Sequence, residues 1–180
     1  MLSSIFKKKF TDDQLANVFV NGVLEAVDKG FDEVAAMIEE DPAFVAPPNL
    51  REARDGHFTM IVIVANVRYL QDSFSPEQVK ALENVIFTKF ANAFDMDEKQ
   101  FLKYFKSYSS FMSRVNHPSK SVLYSMSKGV FYKYKLNDCQ DDYFKRLDCP
   151  NPLFLKRMDE IMKHFIWNWE AFFKRYKMVV

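Results

Sequence analysis

Only four glycines occur among the 180 residues, and that scarcity excludes chemistry built on glycine-rich loops. No G-x-x-x-x-G-K, G-x-G-x-x-G or G-x-S-x-G string is present, so there is no signature for a phosphate-cradling loop or a nucleophile elbow. Cysteine is equally short: Cys139 and Cys149 are the two, and the nine residues between them fit zinc-ligand spacing poorly. Both thiols are expected to be free in a reducing cytoplasm. No uncharged run approaches the roughly 18 residues a membrane-crossing helix needs, and the first ten residues lack the apolar stretch of a secretory signal. A surplus of one charge sign is also missing. The formal net charge is +1, which gives the chain as a whole no pull toward nucleic acid or an anionic membrane.

Apolar residues are plentiful, at 48% of the chain, with 19 phenylalanines and eight tyrosines. That composition excludes disorder and suffices for one core at this length. The expectation is a single domain spanning 1–180, with residues 1–10 forming a flexible basic tip around Lys7, Lys8 and Lys9. The tip is too weakly charged for more than transient membrane attachment, since each lysine is worth about 1 kcal/mol at an anionic surface.

Helix punctuation dominates the rest. Thr11 with Gln14 forms a capping box, Phe10 is placed to staple onto Leu15, and an apolar stripe runs to Gly30, which reads as a stop. A short second helix is expected over Phe31 to Glu40, ended by Asp41-Pro42. Ser75-Pro76-Glu77-Gln78 repeats the same grammar and opens a helix to about Ala93. Asp95 with Glu98 reads as the next start, with a stripe of Phe101, Phe105, Tyr108, Met112 and Val115. Ser119 reads as the cap of a helix over Val122 to Tyr134, and Asn151-Pro152 as the start of a last, longest helix reaching Tyr176. Residues 58–65 are β-branched and fit either a buried strand or a helix. The apolar pattern continues through Leu70, and a lone strand cannot satisfy its backbone, so 58–72 is read as a central helix. The fold expected is all-α, a single-domain bundle of about six or seven helices.

Charge is strongly segregated. Residues 11–60 carry 11 acids against three bases, whereas residues 99–135 carry eight bases and no acid, along with nine aromatics and eight serines. Basic side chains interleaved with rings and hydroxyls are the material of a site for phosphate-bearing or single-stranded nucleic-acid ligands. Lys99, Lys103, Lys106, Arg114, Lys120 and Lys128 are therefore the anionic-ligand candidates. Lys99, Lys103 and Lys106 share one helix face while Phe101, Phe105 and Tyr108 share another, which favours solvated lysines over a buried aromatic face. The acidic and basic blocks are candidates to face each other, within the fold or between two copies. Asn66 and Arg68 stand out as polar residues in the most apolar helix, needing either an internal partner or an anionic ligand.

Other motifs fail. Glu160 and His164 share a helix face but lack the further ligands of a metal site. The Asp138–Cys149 stretch has neither calcium-loop nor zinc spacing and reads as solvated linker. Ser125-Met126-Ser127-Lys128 matches S-x-x-K without its companion strings. No metal or cofactor is expected. The function expected is a non-catalytic interaction or assembly module, self-associating through the aromatic faces of the last helix or binding a protein partner. The alternative is a binding domain for an anionic ligand, a phosphate-bearing molecule or nucleic acid, through residues 99–135. An enzyme with an aromatic-walled pocket is least supported, though catalytic groups assembled from distant residues leave no sequence signature.

Overall fold

Thr11 starts the first helix, α1 (Asp12–Glu39), through the capping box its sequence encodes: its hydroxyl accepts from the Gln14 N–H and the Gln14 side chain accepts from its own N–H. The structure is a computed structural model and describes residues 10–177; residues 1–9, which hold most of the basic tip, lie outside the described residues. Phe10 is not part of a loose tip. Its ring packs on Phe172 at 5.6 Å and edge-on to Tyr176 at 4.7 Å.

Helix α1 runs unbroken through Gly30, correcting the expected stop and the separate helix over Phe31 to Glu40. The apolar stripe continues on one face through Phe31, Val34, Ala35 and Ile38, all buried. Gly30 marks a close approach: a Cβ there would lie 2.7 Å from the Phe165 ring. The glycine serves packing between distant segments rather than helix termination.

A four-residue turn of helix, α2 (Leu50–Ala53), leads into α3 (Gly56–Arg68), which tightens into a 3-10 turn over Tyr69–Asp72. The ambiguous 58–65 segment is thus helical, and residues 61–67 are all buried, as a helix at the centre of a bundle must be. Ser75 caps α4 (Pro76–Ala93) with its capping box to Gln78. The start of α5 (Glu98–Asn116) falls at Asp97, whose carboxylate accepts from the Gln100 N–H. Asp95 is excluded from that role by its left-handed backbone, φ 52°. Likewise α6 (Val122–Lys133) is capped by Ser121, not Ser119; the Ser119 hydroxyl instead accepts from the Ser121 N–H. The Asp138–Cys149 stretch is folded rather than loose linker: a 3-10 turn and α7 (Asp142–Leu147) are tied by buried Gln140, which donates to the Cys149 carbonyl.

The expected last helix is broken. It forms α8 (Pro152–Met162), a 3-10 turn over Lys163–Phe165, and α9 (Trp169–Lys177). Asn66 makes the break: its amide donates to the Val62 and Phe165 carbonyls, and its oxygen accepts from the Trp167 N–H at 2.7 Å. Asn168 then caps α9, its side chain accepting from the Ala171 N–H. Each helix bond lost is worth about 1 kcal/mol net, and Asn66 replaces two of them. The gain is larger. The bend folds Trp169 flat against Phe19 at 5.6 Å and edge-on to Phe74 at 4.9 Å, and buries Phe173, each ring worth about 2–3 kcal/mol. Of the six aromatics Phe165, Trp167, Trp169, Phe172, Phe173 and Tyr176, whose faces were expected to mediate self-association, Phe165, Trp169 and Phe173 are core residues; Trp167 and Phe172 lie half-buried and pack against that core. Tyr176 alone of the six stays exposed.

The bundle is all-α. Helix α3 lies at its centre, packed against α1, α5 and α6, with α4 closing over α1 and α5, and α8 over α6. No helix among the described residues is long and apolar enough to cross a membrane.

Candidate anion-binding cleft

Arg68 ends α3 where the packing of the bundle opens. Its side chain is half-buried, and burial pushes its guanidinium below the ordinary value while leaving it charged. Nη2 donates to the Ser109 carbonyl at 2.7 Å, the Ser109 hydroxyl at 3.2 Å and the Ser113 hydroxyl at 2.9 Å. All three acceptors are neutral, and no carboxylate lies within ion-pair distance of Arg68 among the described residues. Nε and Nη1 make none of these bonds, so their three N–H groups are uncommitted, while Nη2, which both bidentate edges of the guanidinium share, is held by the serines.

That arginine forms the wall of a cleft of about 620 Å³ between α3, α4, α5 and the α5–α6 turn. A volume of this size matches a small-molecule site. Ser113 and Asn116 come from the last turn of α5, His117, Ser119 and Lys120 from the turn, and Val122 from the first position of α6. The His117–Pro118 peptide bond is cis. Asn116 is buried. Its amide holds the turn by donating to the Ser119 and Ser121 carbonyls, yet its side-chain oxygen is buried without a partner. Glu83 of α4 also lines the cleft, and burial raises its carboxyl above the usual range. The cleft therefore combines one partly desolvated arginine, one lysine at an exposed rim, hydroxyls, and a carboxyl whose charged form burial disfavours.

The anionic-ligand candidates are divided by this geometry. Lys120 reaches the cleft together with Arg68, which lies far away in sequence. Lys99, Lys103 and Lys106 instead line the exposed face of α5, opposite buried Phe101 and Tyr108. Tyr104 is exposed beside them, at 55%. Arg114 and Lys128 rest over the Phe111 and Tyr124 rings at 5.8 and 4.4 Å. Lys133 covers both Tyr108 and Phe111 at 4.6 Å. Asn66, the other buried-polar candidate, has internal partners for its amide and its oxygen and is structural. The residues not singled out beforehand are Ser113, Asn116, His117, Gln71 and Glu83. The N-H-P-S turn next to a serine-rich helix end was the available signal for three of them; Gln71 and Glu83 had none.

A second polar cluster sits at the start of α3. His57 Nδ1 and the Tyr108 hydroxyl are 2.6 Å apart, and the Tyr134 hydroxyl donates to the Arg54 carbonyl while accepting from the Phe58 N–H. Burial, with Lys133 nearby, holds His57 below its usual value, and burial pushes Tyr134 up to about 12. These shifts keep both groups neutral and fit a lock between α3, α5 and α6. Glu160 pairs with Lys163 rather than with His164, and no cluster of metal-ligating side chains exists among the described residues. Cys139 and Cys149 are free thiols, and burial raises Cys139, so its thiolate is disfavoured. Ser125 is buried and its hydroxyl donates to the Val122 carbonyl, leaving no nucleophile in the S-x-x-K string.

Comparison of the chain with known protein families, with curated proteins and with solved structures finds no match.

Proposed function

We propose that the protein is a binding module for a small phosphate-bearing molecule, held in the cleft with Arg68 as its anchor. One observation carries this reading: a half-buried guanidinium with no carboxylate partner and with Nε and Nη1 uncommitted, on the wall of an open cleft. A partly desolvated cation is costly unless an anion compensates it, and the uncommitted Nε and Nη1 N–H groups can each donate a charge-assisted hydrogen bond to a phosphate oxygen. Lys120 and the start of α6 stand at the same wall, where the helix dipole also favours negative charge. Ser113 and Ser119 supply hydroxyl donors.

Glu83 sets the pH dependence. Its carboxyl titrates above the usual range, so acidification neutralises it and removes the one negative charge lining the cleft. Affinity for anions then rises as pH falls through that raised range.

The test is calorimetric titration with pyrophosphate as the probe. Saturable one-to-one binding is expected, weakened at least tenfold by Arg68→Met and unchanged by Lys103→Met on the outer face of α5. Equal losses from both variants, or no saturable binding, would replace the cleft with diffuse surface attraction.

A further inference from the structure

The acidic and basic blocks do not face each other within the chain. Helix α3 lies between α1 and the α5–α6 pair, and no ion pair among the described residues joins the blocks. The acids of residues 11–60 that do pair take Lys29, Arg51, Lys89 or Arg157. Each block therefore presents its charge outward, from opposite sides of the central helix.

The two exposed stripes share a period. On α1, exposed Asn21, Glu25, Asp28 and Asp32 follow at steps of four, three and four. On α5, exposed Lys99, Lys103, Lys106 and Ser110 follow at steps of four, three and four. Laid antiparallel, the stripes keep one constant register: Asp32 meets Lys99, Asp28 meets Lys103, Glu25 meets Lys106, and small neutral Asn21 meets Ser110. The charged rows extend about 10 Å on each helix, at 1.5 Å per residue. A parallel arrangement also keeps a constant register, because the spacing is palindromic, but it pairs only Glu25 with Lys103 and Asp28 with Lys106 and sets Lys99 and Asp32 against neutral Asn21 and Ser110. Lys29, the single base of α1, is already held by Glu25, and Glu98, the acid preceding the lysine stripe, by the Thr88 hydroxyl.

We infer that the α5 lysine stripe docks onto the α1 acidic stripe of a second copy of this chain, antiparallel and in that register. The occupant is a second copy because the complementary spacing is written into the same molecule and is unused inside it. The two faces point away from each other, so the contact is head-to-tail, and each added copy presents a fresh free face. The stripes carry charge and small polar groups rather than large apolar side chains, so the association is fast, weak and salt-sensitive. This inference is independent of the cleft.

Sedimentation velocity over a range of protein concentrations tests it. The full chain is expected to shift to larger species with concentration at low ionic strength and to stay monomeric at high salt. Two triple variants, Lys99→Glu with Lys103→Glu and Lys106→Glu, and Glu25→Lys with Asp28→Lys and Asp32→Lys, are each expected to remain monomeric alone. Circular dichroism confirms that both stay helical. Mixed together, they are complementary at both the intact and the reversed faces, so the mixture should regain the concentration-dependent, salt-sensitive growth that each variant alone has lost. A monomeric full chain at low salt, association that survives either triple reversal, or a mixture that forms no complex would each overturn the proposal.

Discussion

Asn66 and Arg68 stand two residues apart on one helix, and their surroundings could hardly differ more. Asn66 is 2% exposed, with its amide on the Val62 and Phe165 carbonyls and its oxygen on the Trp167 N–H. Arg68 is half-buried at the edge of a cleft, bonded through one nitrogen to neutral serine oxygens. The first region is closed: its polar side chain completes the backbone of a broken helix. The second is open: its charge is held in place but not neutralised. The lesson is that a polar residue in an apolar helix is structural when its bonds are complete and binding-competent when donors are left over.

The comparison breaks most visibly at Asn66. Asn66→Leu keeps the volume but leaves the Phe165 carbonyl and the Trp167 N–H without their partner, and should lower unfolding free energy by about 2–4 kcal/mol in urea denaturation. A loss below roughly 1 kcal/mol would mean that the 163–168 break does not depend on this side chain. Gly22→Ala probes the same region from α1, because a Cβ there would lie 2.2 Å from the Trp167 ring. Overpacking, partly offset by better helix propensity, should cost about 1–2 kcal/mol and change the tryptophan fluorescence. Arg68→Met inverts the pattern. Stability should stay within about 1 kcal/mol, since removal of a half-buried charge offsets the lost hydrogen bonds, while pyrophosphate affinity falls tenfold or more.

Two pH effects sharpen the contrast at smaller scale. Glu83→Gln should raise anion affinity several-fold at neutral pH and flatten its increase on acidification. The same variant should stabilise the fold at neutral pH, because a carboxyl whose folded-state value is raised opposes folding once the pH exceeds its unfolded value. His57 acts in the opposite direction. Its folded-state value is depressed, so the unfolded chain binds the extra proton and stability falls as pH drops through the ordinary histidine range. His57→Gln should flatten that acid limb of a thermal-melting profile, the smallest of these effects.

Much of the local architecture was readable from residue order. The capping boxes at Thr11 and Ser75 and the opposite phases of lysine and phenylalanine on α5 depend on neighbours within about four positions. Gly30 misled because helix-ending and close-packing glycines look identical in sequence. The 163–168 break was invisible for a related reason: its apolar pattern continues, and the residue that interrupts it is Asn66. The cleft was half legible. Arg68 and the basic, serine-rich segment each drew notice, but nothing in their order announced that they meet.

Residue order alone determined the helix starts at Thr11 and Ser75, which helix faces are oily, and how charge divides between the acidic and basic blocks. Those properties arise from short-range geometry and backbone bonding. Tertiary structure decided the fates of the four residues Gly30, Asn66, Arg68 and Trp169. Their surroundings come from segments dozens of positions away, 99 in the case of Asn66 and Phe165. A polar or small side chain acquires a role only once packing has set which of its hydrogen bonds are met and how much space surrounds it.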